Sequence, residues 1–254
     1  MEFSVDEISA SSSNAERALD ILLLLGEVGP EGYSLAEIAS RIGTAKPAAH
    51  RTLAAMVSKG FAEPTERYGH YRLGTAVPML ARRQERLEPL VQRYRPGMTE
   101  FARRTGFNVY LLVQSGIDAI CAEMISRSSR HQFAMGLGAR VPMGVGAGSL
   151  ALMSLLAENV VEQILDANAE RYQAHPSIRP VDRDIIRNQV LEAKQRGYAV
   201  NQGFFFFGEG GVGLPRMASG MYEVNMAFSF NAPLDMMNDA WVEDQVGQLR
   251  ECLP

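Results

Sequence analysis

The stretch that most limits what this chain can become is residues 14–74. There, three short helical segments, each closed by glycine, precede a strand, a turn and a strand. Asn14 opens the first segment, and Ala18, Ile21, Leu22 and Leu25 recur at the spacing of one buried helix stripe. Gly29-Pro30-Glu31-Gly32 ends it. Ser34 followed by Glu37 is a capping-box pattern, in which each side chain takes the other residue's backbone amide. Leu35, Ile38 and Ile42 form the stripe of this second helix, and Gly43 breaks it. Thr44 is expected to cap a third helix, from about Lys46 to Lys59, with Leu53, Met56 and Val57 inward and Gly60 as its stop. Pro47 suits the first turn, where no amide donor is needed. Phe61-Ala62-Glu63 and His70-Tyr71-Arg72-Leu73 then flank a polar turn holding Pro64 and Gly69, which reads as a hairpin. Three helices and a two-stranded wing make a winged helix-turn-helix.

In such a module the second helix of the pair presents its N-terminal residues to the DNA major groove. Here Lys46, His50 and Arg51 can donate to phosphates or to purine edges. Between Arg41 and Arg72 the bases Arg41, Lys46, Arg51, Lys59, Arg67 and Arg72 outnumber the acids Glu63 and Glu66, a local patch hidden by the overall charge of −4. Wing residues Arg67, His70 and Arg72 are expected over the backbone or the adjacent minor groove. The candidate contacts to double-stranded DNA are therefore Ser34, Thr44, Lys46, Pro47, His50, Arg51, Arg67, His70 and Arg72. A basic winged helix that binds protein instead fits the same pattern.

At 254 residues the chain has room for a further, larger domain. Residues 1–13 read as a polar tail with too little apolar surface to order itself. An arginine-rich stretch follows the wing; we read Thr75–Glu88 as a linking helix and Pro89–Thr105 as the start of the second domain, residues 89–254. Phe107–Val113 and Ala119–Ile125 read as strands about the turn Ser115–Asp118. Ser149–Ala157, Val160–Ala167 and Asp182–Arg196 read as helices, the last stopped by Gly197. Tyr198–Asn201, Val212–Met217 and Glu223–Phe230 read as strands, and Leu234 begins a final amphipathic helix. Strands grouped between terminal helices predict an α+β domain on an antiparallel sheet.

Two distant cysteines and four scattered histidines give no disulfide framework and no metal spacing. No G-x-S-x-G elbow or carboxylate pair is present, so neither an enzyme nor a cofactor is expected. The N-terminus lacks a secretory pattern and no apolar run is long enough to span a bilayer, which reads as cytosolic with no membrane partner. Gly146, Gly148 and Ala151 match G-x-G-x-x-A, but Val141-Pro142-Met143 is too poor a strand for a dinucleotide fold. Two readings remain: a helix N-terminus that receives a carboxylate, or glycines that allow close helix packing.

The stretches Arg17–Leu22, Ser34–Ala39, Lys46–Leu53 and Gly69–Gly74, then Gly138–Met143, Arg196–Val200 and Ser229–Pro233, resemble in order the IclR family of transcriptional regulators. The resemblance implies a GAF-like effector domain, dimerisation through the N-terminal domain and often a dimer of dimers. It implies an effector pocket with loop amides at Gly146 and Ala147, Asn201 where the family has aspartate, Gly211 near a family cysteine, and Ser229 and Asn231 at two late-strand serines. Three of those six positions depart from the family's small-keto-acid pattern. Gly211 should open volume and Asn201 removes a negative charge, so a larger, polar-headed effector is expected. In an extended Phe204–Phe207 run the rings alternate, so Phe204 and Phe206 could stack an aromatic or apolar carboxylate, with Tyr110 and Met135 completing the wall. A core or subunit-interface role is the competing reading for these side chains. Where the family often has Ser-Thr after the helix-opening lysine, this chain has Pro47-Ala48, so its operator preference should diverge.

Overall fold

The computed structural model describes residues 14–82, 87–127, 136–174, 180–206, 208–218 and 224–254, but not the side chains of Arg82 and Phe204–Phe206. The expected tail and Met135 lie outside the described residues. The chain divides into two compact units, Met1–Glu85 and Arg86–Pro254.

The first unit runs α1 (Asn14–Gly26), β1 (Tyr33–Ser34), α2 (Leu35–Arg41), α3 (Lys46–Ser58), β2 (Ala62–Pro64), β3 (His70–Leu73) and α4 (Ala76–Arg82). Ile21, Leu25, Ile38 and Leu53 are fully buried, so the three apolar stripes meet in one core. The capping box forms: Glu37 N donates to Ser34 Oγ (3.2 Å) and Ser34 N to Glu37 Oε2 (2.8 Å). Thr44 does not cap α3. The helix opens at Lys46 as expected, but its N-cap is Ala45, with no side-chain cap, and Thr44 N is tied back to Ala39 O at 2.9 Å. Pro64 ends β2 instead of lying in the turn; β2 is an edge strand in the order β1-β3-β2, where proline costs no ladder bond. The two-residue β1, pairing Tyr33 with Tyr71 and Ser34 with His70, is too short for any periodicity to reveal.

The second unit runs α5 (Glu88–Thr105), β4 (Val109–Ser115), β5 (Asp118–Ile125), β6 (Arg140–Pro142), α6 (Gly146–Ser154), α7 (Glu158–Ala174), α8 (Arg183–Arg196), β7 (Ala199–Phe206), β8 (Glu209–Ala218) and β9 (Val224–Pro233). A 3-10 turn (Leu234–Met236) and α9 (Asp239–Cys252) follow. Glu88, expected to close the linking helix, instead opens α5. Among the described residues six strands form one sheet, ordered β6-β5-β4-β9-β8-β7, and every pairing is antiparallel. The fold is α+β. Val141-Pro142 does form a strand after all, β6, because a three-residue edge position on β5 tolerates proline.

The period-two alternation of strands sends side chains to two buried faces. Tyr110, Leu112 and Ala227 share one buried cluster with residues of α6, α7 and α8 on one face. Val109, Leu111, Phe228 and Phe230 meet Met98 and Phe101 of α5 and Leu249 of α9 on the other. Phe101 and Phe230 lie 5.0 Å apart ring to ring, and burial of such side chains contributes about 1.5–3 kcal/mol each. Helix α6 starts three residues before the expected Ser149. Ala147 to Ser154 are all buried; Gly146 enters the helix at φ +79°, a conformation that favours glycine, and at Gly148 packing on the sheet outweighs poor helix propensity.

Candidate functional site

Helix α6 lies with its N-terminus directly on the sheet, and a cavity of about 20 Å³ remains there. Two cross-strand rows lie beneath the helix end. One is Asn201, Gly211, Asn231, all at the cavity; the next is Gly213, Ser229, Tyr110, of which Ser229 and Tyr110 line it. Glycines on both surfaces permit the approach. A Cβ on Gly213 would fall 2.2 Å from Ala147 O, and one on Gly148 would fall 2.2 Å from Leu112 Cδ1 and 2.8 Å from Ser229 Oγ. Close helix packing therefore accounts for these glycines.

The same packing leaves an open helix end facing the cavity. Val145, the N-cap of α6, makes no side-chain cap bond, and Ser149 Oγ donates back to Val145 O at 2.5 Å. The first amides of a helix have no intrahelical acceptor and carry partial positive charge. Tyr110, Leu112, Asn201, Gly210, Ser229 and Asn231 complete the wall with Val145–Gly148, and among the described residues no charged side chain lines it. Burial pushes the Tyr110 phenol up, so it stays a neutral hydrogen-bonding group. Asn201 Oδ1 accepts from Gly203 N at 3.1 Å, which braces the irregular stretch of β7. Asn231 Nδ2 is buried and has no hydrogen-bond partner among the described residues. That unmet donor is the clearest sign of a missing acceptor.

Of the residues expected at a pocket, Tyr110, Gly146, Ala147, Asn201, Gly211, Ser229 and Asn231 come together here. Leu112, Val145, Gly148 and Gly210 join them; Leu112 could have been found from Tyr110 by strand alternation. Gly211 does not open volume. A Cβ there would meet Asn231 Oδ1 at 3.0 Å and Ala147 Cβ at 3.2 Å, so neighbouring atoms already occupy the space. The side chains of Phe204 and Phe206 lie outside the described residues. Their backbone does not follow simple alternation, because the register shifts between Asn201 and Phe206. The cavity holds about one water as it stands, so a ring-sized ligand requires its walls to separate.

In the first unit, Lys46, Pro47, His50 and Arg51 are exposed on the N-terminal half of α3, opposite the buried Ala49, Leu53 and Met56. Arg67 is exposed on the wing. Three other candidates are engaged locally. Ser34 Oγ donates to Glu37 at 2.6 Å, Arg72 pairs with Glu63 at 2.8 Å, and His70 Nδ1 meets Tyr68 O at 3.2 Å. Thr44 is half-buried in the turn between α2 and α3.

Residues 14–66 match the IclR helix-turn-helix domain, and residues 86–253 match the bacterial transcriptional regulator IclR C-terminal domain. The chain belongs to the IclR family. It is a DNA-binding transcriptional regulator, and α3 lies within the matched helix-turn-helix domain. The chain is 26% identical over 186 residues to an HTH-type transcriptional regulator of Mycobacterium tuberculosis, covering 73% of this chain and 70% of that one. It is 29% identical over 189 residues to the glycerol operon regulatory protein of Streptomyces coelicolor, covering 73% and 71%. An IclR homolog from Microbacterium hydrocarbonoxydans, solved in complex with 4-hydroxybenzoate, shares the fold with a TM-score of 0.68, at 22% identity over 95% of this chain and 99% of that one. Among the described residues of this IclR-family member, no helix is long and apolar enough to cross a membrane.

Proposed function

We propose that this regulator binds operator DNA in response to a small organic acid whose carboxylate docks at the N-terminus of α6. The observation that carries the reading is the buried, unpartnered Asn231 Nδ2 beside an uncapped helix end. The amides of Gly146 and Ala147, with Asn231 and Ser229, supply donors to a carboxylate, and the helix dipole supplies the favourable potential. Hydrogen bonds to a charged group contribute about 1.5–3 kcal/mol each, which suits a pocket without a cationic side chain. The acid's body, aromatic or otherwise apolar, lies towards the Phe204–Phe206 stretch of β7. The 4-hydroxybenzoate complex of a structurally similar IclR homolog supports an aromatic acid as the first class to test.

In this reading Lys46, His50, Arg51 and Arg67 carry the DNA contacts of a homodimer, and acid and operator change each other's affinity by the same factor. The test is calorimetric titration with aromatic and aliphatic monocarboxylates, on the wild type and on Asn231→Leu. We expect an aromatic acid to bind the wild type and to bind the variant roughly 10–100-fold more weakly, matching the loss of one charge-assisted bond. Equal affinity for both proteins, or no acid binding at all, refutes the assignment. DNA affinity measured with and without the acid then tests the linkage.

A further inference from the structure

The wing tip carries an aromatic side chain that the basic face does not account for. The chain turns through Arg67-Tyr68-Gly69-His70, with His70 N donating to Arg67 O at 3.1 Å and Gly69 at φ +74°. This is the arrangement of a type II turn, whose third residue needs positive φ. Thr65 N donates to His70 O at 2.9 Å, and Arg67 N donates to Thr65 Oγ1 at 3.2 Å. The His70 ring closes on the Tyr68 carbonyl. The apex backbone is thus fixed from both sides, while the side chain at its second position, Tyr68, is 101% exposed. Single exposed apolar residues are ordinary on protein surfaces. This one differs in standing on an ordered tip, between Arg67 and His70, on a DNA-binding module.

We propose that Tyr68 is a minor-groove probe that reads base pairs flanking those met by α3. The minor groove is about 6 Å wide, and its floor offers adenine N3 and thymine O2 as acceptors. A flat ring with two rotatable bonds enters such a slot with less loss of rotamer freedom than a long cationic stem. The ring packs on the sugar walls, and the hydroxyl donates to an A·T acceptor. The exocyclic amino group of guanine occupies the same place, so G·C pairs are disfavoured. Tyr68 in this way adds sequence discrimination where the charged wing residues add attraction alone. The inference rests on DNA binding by α3 and adds a determinant outside the major groove.

The full-length protein is used to enrich duplexes from a random pool, and binding is then followed by fluorescence anisotropy. Three versions of the enriched duplex are compared, with flanking pairs A·T, G·C or inosine·C, the last presenting a G·C-like major groove and no minor-groove amino group. We expect the wild type to bind the G·C-flanked duplex roughly tenfold more weakly and to recover on the inosine duplex. Tyr68→Ala should bind the A·T duplex roughly tenfold more weakly, ignore the flanks, and keep the wild-type slope of log K against log salt, since no charge is lost. Tyr68→Phe should keep most of the affinity and lose the preference. Arg67→Ala should flatten the salt slope by about one and keep the preference. The proposal is overturned if Tyr68→Ala retains both affinity and preference, if the wild type has no flank preference, or if Arg67→Ala abolishes it instead. Failure of the wild type to enrich any sequence would overturn sequence-specific DNA binding itself, a separate result.

Discussion

Replacing Gly213 by alanine places a methyl group where helix α6 already lies. The new carbon would sit 2.2 Å from Ala147 O, 2.6 Å from Ala147 C and 3.0 Å from Gly148 N. All three are backbone atoms, so no side-chain rotation relieves the overlap. Comfortable carbon contacts begin near 3.5 Å, so the N-terminus of α6 must lift on the order of 1 Å from β8. Overpacking of this kind costs about 1–3 kcal/mol, and in a domain of this size each kcal/mol moves the midpoint by roughly 2–4 °C. Gly213→Ala should therefore lower the calorimetric transition of the second unit by about 2–12 °C, and acid binding should weaken with it because the α6 amides move. Gly247→Ala is the matched control: it sits within α9 with nothing within 4 Å of an added Cβ. That substitution should stabilise by about 0.5–1 kcal/mol. A Gly213→Ala midpoint at or above the wild type, in the same series where Gly247→Ala rises, would refute the close seating of α6 on the sheet.

Three further outcomes are expected. Tyr172 Oη donates to the buried Met143 carbonyl at 2.6 Å, so Tyr172→Phe leaves that acceptor unmet and should cost about 1–3 kcal/mol; an unchanged calorimetric transition would contradict this. The Ser34 hydrogen bonds hold the Glu37 carboxyl below its ordinary range, so the capping box helps stability above the unfolded glutamate's pKa, near 4.3, and loses that effect as pH falls through the lower folded value. Acid titration followed by circular dichroism should therefore separate the wild type from Glu37→Gln above that pH and bring them together below it; parallel curves throughout would count against a stabilising role for the Glu37 charge, since glutamine can keep the box itself. Burial pushes the Cys121 thiol up to about 12, so its protonated form favours the folded state. That contribution is present below the unfolded thiol's pKa, near 8.5, and fades as pH rises from there towards 12. Cys121 should accordingly resist a thiol reagent at pH 8 until the protein unfolds, and rapid labelling of the native protein at this position would overturn the assignment.

The readable parts of the chain were those where local chemistry and tertiary structure agree. Ser34 and Glu37 cap each other through bonds within one turn, and Gly197 ends α8 at φ +75°, so neither depends on distant residues. The misplacements share the opposite property. Gly148 is a poor helix former held in α6 by its close approach to Leu112 and Ser229 of the sheet, and Gly146 before it takes the positive φ that starts the helix early. Pro142 is acceptable in β6 because, among the described residues, β6 is an edge strand of the sheet. Gly211 reads as empty space until Ala147 and Asn231 are seen to fill it. The polar ring of the pocket was legible residue by residue, whereas the unmet Asn231 donor was not. It follows from what fails to reach that atom in three dimensions, which no spacing encodes.

Strand β9 turns Ser229 and Asn231 to one face of the sheet and Phe230, between them, to the other. The Phe230 ring meets Trp241 of α9 at 6.3 Å and 70°, and Trp241, the chain's single tryptophan, also meets Phe107 at 5.8 Å and 81°. Any displacement of the strand between its two pocket residues must carry this ring against the indole. The protein therefore contains its own optical reporter of the cavity. Its intrinsic emission, with no label attached, can follow events on the opposite side of the sheet.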